Sequence, residues 1–296
     1  MTVFLESNKK TTSQSSYGVG IAALACCLCG RSSAQTQQPL PAVSLLPAPP
    51  ELEVPYVAKP PRLGSDDEIW QQGALVNQMT LALGEASHGL TPAATQVRLL
   101  WSQSGLYIRF ICEDESVYAP EEGRDAPLWK GDVVEVFLDV KGDARQWVEL
   151  QVSPNGSMFD QLATLTSEPR SNENRVLVGE VLSRDWWTNL SWNLEGWQTH
   201  TLKKARSWQV DMMLPPKALH RLGLSEFAPM TLRLNLVRYK YLPATDANAP
   251  RRLMAMNWAP VSFGCPHISP QAMGFARLMP PPSAPLALST QTAKVG

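Results

Sequence analysis

The chain has 296 residues, of which 44% are hydrophobic, so it can bury a core of ordinary size. Its formal net charge is −1, and its Lys and Arg residues are spread along the sequence rather than clustered. Proteins that bind nucleic acid or an anionic membrane surface carry a basic patch. The composition therefore argues against nucleic acid as a partner.

Residues 1–34 have the pattern of an export signal. Lys9 and Lys10 supply positive charge, Tyr17–Leu28 form an apolar run, and Ser32–Ala34 form a small-residue cleavage site. The run is too short to span a bilayer, so we predict no membrane span. We expect the mature protein to begin near Gln35 and to be exported to the periplasm, the outer cell surface or the medium.

The cysteines leave two alternatives open. Cys26 and Cys27 lie in the apolar run, in a context that loosely matches a lipoprotein box, so a lipid anchor at either residue is an alternative to cleavage. After cleavage, Cys112 and Cys265 remain, and they either form one disulfide or stay as buried thiols.

The rest of the chain divides into three segments. Residues 35–61 are rich in proline and predict a disordered tether. Residues 62–280 contain the regular hydrophobic alternation and predict one folded domain. Residues 281–296 predict a flexible tail.

Short alternating segments separated by turn residues predict an all-β fold, an antiparallel β-sandwich with a distorted jelly-roll-like arrangement. A short helical turn is expected at Pro215–Leu219, where a proline opens it before Gly223 stops it. The predicted strands are Val97–Trp101, Leu106–Cys112, Val133–Asp139, Trp147–Val152, Val176–Glu180, Thr199–Leu202, Trp208–Leu214 and Leu232–Tyr239.

One stretch, Leu128–Asp139, combines an aromatic ring with a carboxylate. Trp129 stands at the end of a loop, and Glu135 lies in the strand that follows, between apolar neighbours. An aromatic face can cover the C–H side of a sugar ring while a carboxylate accepts hydrogen bonds from its hydroxyls. The stretch predicts a sugar subsite, with a rim tryptophan and a solvated sheet face as the alternative.

Polar residues also alternate on consecutive predicted strands. Arg109, Glu135, Glu149 and Gln151 fall on polar faces, where they would form one charged patch on a concave sheet surface. A solvated outer face with cross-strand ion pairs is the alternative.

The sequence carries no motif of an established enzyme class. It lacks a glycine-rich phosphate loop, a Gly-x-Ser-x-Gly elbow and a His-Glu-x-x-His helix. Glu135 and Glu149 would suit a glycosidase only at a particular separation across a bound sugar. We therefore predict a non-catalytic protein.

Several motifs in order resemble carbohydrate-binding module family 9. The resemblance covers roughly Arg62 to Pro280. The motifs taken together in this order are more specific than any single motif. The motifs are Asp66–Trp70, Val97–Trp101, Leu106–Ile108, Glu113–Asp114, Leu128–Asp139 and, at the closing strand, Met273–Leu278.

The resemblance implies a fold and a function. Members of that family fold as distorted antiparallel β-sandwiches and bind sugars without cleaving them. They are often attached to secreted glycoside hydrolases, and some hold structural calcium. The resemblance thus implies a secreted carbohydrate-binding protein that supports polysaccharide or glycan breakdown, with a carbohydrate as partner and calcium as a candidate cofactor.

The family's site residues carry over to particular positions. Trp129 matches one wall of the aromatic sandwich, and Glu135 matches the carboxylate that binds hydroxyls. Gln151 falls where members place an arginine, His267 falls roughly where the second sandwich tryptophan would be, and Arg238 is similar to a strand position near the site. With Arg109 from the polar patch, these residues form the predicted sugar site.

Three other functions remain open. Haem-binding sandwiches of similar outline ligate iron through Met and His or Lys, and Met212, Met213, Met254 and Met256 could supply thioethers. Methionine at strand spacing is, however, more often core filler. A scaffolding protein of the cell envelope and an accessory subunit of a glycoside hydrolase are the other two.

Overall fold

The computed structural model describes residues 47–82, 89–165, 186–246, 248–261 and 266–282. The predicted signal peptide, the anchor cysteines Cys26 and Cys27, and the predicted strand Val176–Glu180 lie outside these ranges. No helix in the described ranges is long and apolar enough to cross a membrane.

Strands dominate the described part of the chain, and short helical turns connect some of them. The helical segments are a short α-helix, Pro216–Leu219, and the 3₁₀ turns Glu68–Gln72, Leu128–Lys130, His220–Leu222, Pro266–Ile268 and Pro270–Ala272. The strands are β1 (Glu51–Val54), β2 (Ala74–Val76), β3 (Thr80–Leu81), β4 (Thr95–Ser102), β5 (Gly105–Glu113), β6 (Val133–Asp139), β7 (Gln146–Val152), β8 (Met158–Leu165), β9 (Trp186–Asn189), β10 (Gln198–Lys204), β11 (Ser207–Leu214), β12 (Thr231–Tyr241), β13 (Leu253–Asn257) and β14 (Gly274–Leu278).

The strands form two sheets. The nine-stranded sheet has the order β1-β14-β12-β6-β7-β8-β9, with β13 pairing with β12 and with β3. The five-stranded sheet has the order β10-β11-β5-β4-β2. Within the sheets the strand pairs are antiparallel except β1 with β14. The predicted antiparallel β-sandwich is confirmed.

Period-two alternation places one face of each sheet in the core between them. Leu106, Ile108, Phe110 and Cys112 of β5 are all buried there, and they face the apolar side of β6. Cys112 is a buried thiol, and burial raises its pKa to about 11. Its potential partner Cys265 lies outside the described residues.

The predicted helical turn is confirmed. An α-helix runs from Pro216 to Leu219, and a 3₁₀ turn continues to Leu222. Gly223 then ends the segment with a φ of 96°, in the left-handed region that favours glycine.

The predicted boundary between tether and domain is wrong. Strand β1 pairs in parallel with β14, and Val54 is fully buried in the core. The tether predicted for residues 35–61 therefore belongs to the sandwich from Glu51 onward, while residues 35–46 lie outside the described ranges. Proline on both sides concealed this strand, because only four residues alternate between the proline clusters.

Candidate functional site

The outer face of the nine-stranded sheet carries three of the predicted site residues together. Glu135 of β6 lies directly opposite Gln151 of β7, so both side chains point to the same side of the sheet. His267, in the 3₁₀ turn Pro266–Ile268, packs edge-on against Phe137 of the same face, with ring centroids 5.0 Å apart. We call this surface the site face.

A hydrogen-bond cluster around Glu149 organises the site face. Oε1 of Glu149 accepts from the amide of Gln151, and Oε2 accepts from the amide of Gln161 on β8. Oε2 also lies 2.7 Å from Nε2 of His267. Burial raises the pKa of Glu149, but the interaction with His267 and the hydrogen bonds from the three side chains bring it below the ordinary value.

The hydrogen bonds also fix the tautomer of His267. Nε1 of Trp147 lies 3.0 Å from Nδ1 of His267. An indole N–H only donates, so Nδ1 is the acceptor and carries no proton. Nε2 therefore carries the proton that His267 donates to Glu149.

Glu135 is the least satisfied polar group of the site face. Its side chain is 1% exposed, and Oε1 has no hydrogen-bond partner. Oε1 of the neighbouring Gln151 is also buried without a partner. Burial, and then the negative charge of Glu149, raise the pKa of Glu135 well above its ordinary value.

Trp129 borders this pair of oxygens at one end of the site face. The 3₁₀ turn Leu128–Lys130 holds its indole half-buried, edge-on to Phe159 at 5.5 Å. Phe159 lies opposite Gln151 in the sheet. The hydroxyl of Tyr241 donates to the carbonyl of Trp129 at 2.9 Å and so secures the turn. Trp129, Phe159 and Tyr239 form an apolar rim beside the unpartnered oxygens.

Replacing Glu135 with glutamine should stabilise the protein at neutral pH by about 1–3 kcal/mol, the cost of an unsatisfied buried polar group. The new amide can donate to Oε1 of Gln151 and carries no charge. Because the folded-state pKa of Glu135 is raised, its favourable contribution is complete below the ordinary glutamate pKa and is lost as pH rises toward the folded value. Denaturant unfolding at a series of pH values measures both effects.

The advantage of the Glu135→Gln variant should therefore grow as pH rises from acid to neutral. Glu113→Gln, which removes an exposed carboxylate from β5 of the other sheet, serves as the control and should leave the pH profile unchanged. Parallel profiles for wild type and Glu135→Gln would contradict a buried, unpaired Glu135.

Arg109 does not share the site face with Glu135 and Gln151. It lies on β5 in the five-stranded sheet, whereas Glu135 and Gln151 lie in the nine-stranded sheet. Its guanidinium donates to both carboxylate oxygens of Asp211, at 2.7 and 2.6 Å, and stacks 4.1 Å above the Trp70 ring. The predicted continuous patch that joined Arg109 to Glu135 is therefore wrong.

Arg238 does not contact the site face either. It lies opposite Val134 on β12 and therefore points into the space between the sheets. There it is fully buried, and it donates to Thr95 at 2.8 Å and to the carbonyl of Glu113 at 2.7 Å. Its hydrogen bonds join the two sheets.

Lys240, on the same side of β12, occupies an oxygen cage. Its ammonium lies 2.8 Å from Oδ1 of Asp114, 2.8 Å from Oδ2 of Asp132 and 2.6 Å from the carbonyl of Ser116. Carboxylate and carbonyl oxygens are also the ligands that calcium prefers. Here the ammonium group of Lys240 neutralises the carboxylates of Asp114 and Asp132.

The family resemblance implies calcium as a candidate cofactor. Within the described ranges, no group of three or more His, Cys, Asp and Glu side chains is placed to hold a metal ion. Three of the four methionines considered as haem ligands lie in the core. Met212, Met254 and Met256 are buried in the hydrophobic core between the sheets, as packing predicts.

A cavity of about 660 Å³ lies elsewhere, at the edge of the sandwich where β5 and β12 end. Its charged lining is largely paired within the protein. Lys240 binds Asp114, and Arg206 pairs with Glu115. We therefore place the candidate site on the site face rather than in this cavity.

The sequence interpretation missed two residues of the site face. Gln161 lies on β8, which was not predicted because its alternation mixes polar and small residues. Trp147 is fully buried and was expected only as a core residue, but its indole N–H orients His267. Had a strand been predicted at 158–165, Gln161 would have been placed opposite Glu149, because these two residues pair across β7 and β8.

The fold is a β-sandwich similar to that of solved carbohydrate-binding modules. Residues 64–164, about a third of the chain, match the family model described as carbohydrate family 9 binding domain-like. The resemblance to carbohydrate-binding module family 9 is thus confirmed over these residues. A comparison with curated proteins found no match.

Solved structures share the fold at low sequence identity. A family 9 module from Caldicellulosiruptor kristjanssonii in complex with glucose is 15% identical, with a TM-score of 0.54, over 79% of this chain and 98% of that one. The module in complex with cellotriose is 15% identical, with a TM-score of 0.51, over 79% and 95%. A Bacteroides uniformis protein described as carbohydrate-binding is 13% identical, with a TM-score of 0.57, over 78% and 100%.

Proposed function

We propose that the protein binds a carbohydrate on the site face and does not cleave it. The observation that carries this proposal is the pair of buried, unpartnered oxygens, Oε1 of Glu135 and Oε1 of Gln151, beside an aromatic rim. Buried polar atoms are normally paired, and unpaired ones need an explanation. Sugar hydroxyls are donors of the right kind, and the rim offers apolar surface for the C–H side of the ring.

Each residue has a separate task in this proposal. Trp129 packs against the sugar ring, and Glu135 and Gln151 accept hydrogen bonds from two hydroxyls. Glu149, held by His267 and Gln161, binds the amide of Gln151 and so turns its oxygen toward the ligand. The two altered family positions, Gln151 and His267, thereby work as one unit.

The site face buries its central polar groups. Glu135 and Gln151 are each 1% exposed, whereas the rim residues Trp129 and Tyr239 are half-buried. A sugar that reaches the two oxygens must displace part of the rim. We expect part of the binding energy to be spent on this displacement, which favours oligosaccharides that contact more of the rim.

The structural relatives suggest the first ligands to test. The Caldicellulosiruptor kristjanssonii module has been captured with glucose and with cellotriose. Because identity to that module is only 15%, the ligand of the present chain is inferred from its own site face.

Replacing Trp129 with alanine should weaken carbohydrate binding by about 1–3 kcal/mol, since an aromatic ring stacked on a ligand contributes an energy of this order. Titration calorimetry with cellotriose measures the effect. Tyr56→Ala is a matched control, because Tyr56 is also half-buried and also packs edge-on against a buried ring, Trp101, at 5.0 Å. Equal affinity in both variants would remove Trp129 from the site.

The cellular role in this proposal is secretion and support of polysaccharide or glycan breakdown, as a separate binding protein or as an accessory to a glycoside hydrolase. The export pattern of residues 1–34 motivates it. Mass spectrometry of the protein recovered from the cell envelope or medium should give a chain beginning near Gln35. A chain that retains Met1 would contradict export, and a diacylglycerol adduct at Cys26 or Cys27 would establish the lipid anchor instead.

A further inference from the structure

The site face presents two carboxylates, and Glu135 has no cationic partner among the described residues. The charge that further raises the pKa of Glu135 is that of Glu149. Arg238 and Lys240 point to the opposite side of the sheet, and Arg109 lies in the other sheet. Arg233 shares the face, but it lies opposite Asp139, and its guanidinium donates to the carbonyls of residues 271 and 273.

His267 is held by Trp147 and Glu149 on the site face. Its Nδ1 accepts from the indole N–H of Trp147 at 3.0 Å. Its Nε2 contributes one donor, and that donor is already bound to Glu149.

The amide donors at the centre of the site are also in use. The NH₂ groups of Gln151 and Gln161 both donate to Glu149, which leaves the oxygen of Gln151 as its free end. The centre of the site face thus offers acceptors and negative charge. An unpartnered donor, Nδ2 of Asn257, lies two strands from Glu135, beyond Val237, where it can meet a ligand oxygen.

The complement of such a surface is a ligand that brings donors and positive charge to Glu135 and Gln151. We propose that the site takes a sugar carrying a primary ammonium group, such as a 2-amino-2-deoxy sugar unit, in preference to its neutral counterpart. This inference rests on the proposed carbohydrate-binding function and specifies its ligand class.

An ammonium group satisfies both orphan oxygens at once. It carries three N–H donors, so it can bind Glu135 and Gln151 and still keep one donor for a ring or water. A hydrogen bond between two charged groups is stronger than one from a neutral hydroxyl to the same carboxylate. The aromatic rim adds attraction, because the faces of Trp and Tyr rings attract cations.

Titration calorimetry of the wild-type protein with three matched trisaccharides tests the inference. The probes are the β-1,4-linked trimers of glucosamine, of glucose and of N-acetylglucosamine, at pH about 6, where an amino group is protonated. We expect the glucosamine trimer to bind at least about tenfold more tightly than cellotriose, as a charge-assisted hydrogen bond implies. The N-acetylated trimer, which lacks the charge, should show no such advantage.

Two variants locate the preference. Glu135→Gln should abolish it, because the replacement keeps the shape and removes the charge. Glu113→Gln removes the same charge from an exposed position on β5 of the other sheet and should retain the preference, which separates the site from general attraction between a cationic sugar and the protein.

The results separate this inference from the function on which it rests. Cellotriose binding as tightly as the glucosamine trimer would overturn the ammonium preference and leave carbohydrate binding intact. A preference that survives in Glu135→Gln would also overturn it, because the contact would then lie elsewhere. Failure of all three trimers to bind would contradict the proposed function itself.

Discussion

Replacing Arg109 with methionine should destabilise the fold by about 3–5 kcal/mol, because it leaves a buried carboxylate without its partner. Asp211 is fully buried, and both of its oxygens accept from Arg109. The same oxygens accept from the amide of Gln209 and the backbone N–H of Gly64, so the pair also ties the segment before β2 to the five-stranded sheet. Denaturant unfolding measures the loss.

A second substitution distinguishes the lost charge pair from lost packing. Arg109→Met combined with Asp211→Asn should recover part of the stability, because the asparagine keeps an acceptor for Gly64 without leaving a buried charge. Sugar affinity should be unchanged in both variants. A variant of Arg109 that folds normally and binds sugar less tightly would return Arg109 to the binding site.

Replacing Lys240 with methionine should cost a similar amount, about 3–5 kcal/mol, because two buried carboxylates then lose their shared cation. Asp114 keeps Arg238 at 3.3 Å, but Asp132 loses its charged partner. Asp132 also accepts from the backbone N–H groups of residues 118 and 241, and therefore holds the loop that carries Trp129. Thermal and denaturant unfolding check the stability of this variant.

This substitution should also affect binding, unlike Arg109→Met. A loosened Asp132 weakens the support of Trp129, so sugar affinity should fall together with stability. Lys130→Met, which removes an exposed lysine next to Trp129, is the control for charge. It should change neither the free energy of unfolding nor the free energy of sugar binding by more than about 0.5 kcal/mol. Normal stability of Lys240→Met would contradict the role of Lys240 in neutralising the cage.

The alternation of apolar residues was enough to predict the sandwich. Leu106, Ile108, Phe110 and Cys112 follow one another at every second position, and the structure buries all four between the sheets. Strands of three or four residues, such as β1 and β2, were missed because so few positions give no clear period. Their pairing partners, rather than their own sequence, stabilise them.

The candidate site was predicted in part, because alternation gives the face of a strand but not its sheet. Glu135 and Gln151 were placed together correctly, since β6 and β7 are neighbours in one sheet. Arg109 alternates in the same way on β5, but the chain changes sheets between β5 and β6. Nothing in the local pattern marks that change.

Arg238 shows a second limit of the pattern. The family resemblance put it near the site, but it shares the alternation of Leu234 and Leu236 on the core side of β12. The structure accepts a buried arginine there because Thr95, Asp114 and nearby carbonyls satisfy it. These partners come from other strands and cannot be identified from β12 alone.

The most direct test of a binding site at Trp129 and Glu135 is to follow the indole N–H resonances of the protein by NMR during titration with cellotriose and the glucosamine trimer. The signals of Trp129, at the rim, and Trp147, which donates to His267, should shift with ligand concentration. Those of Trp70 and Trp208, which belong to the five-stranded sheet and its outer cover, should stay in place. Shifts at Trp70 or Trp208 with Trp129 and Trp147 unchanged would contradict the proposed site.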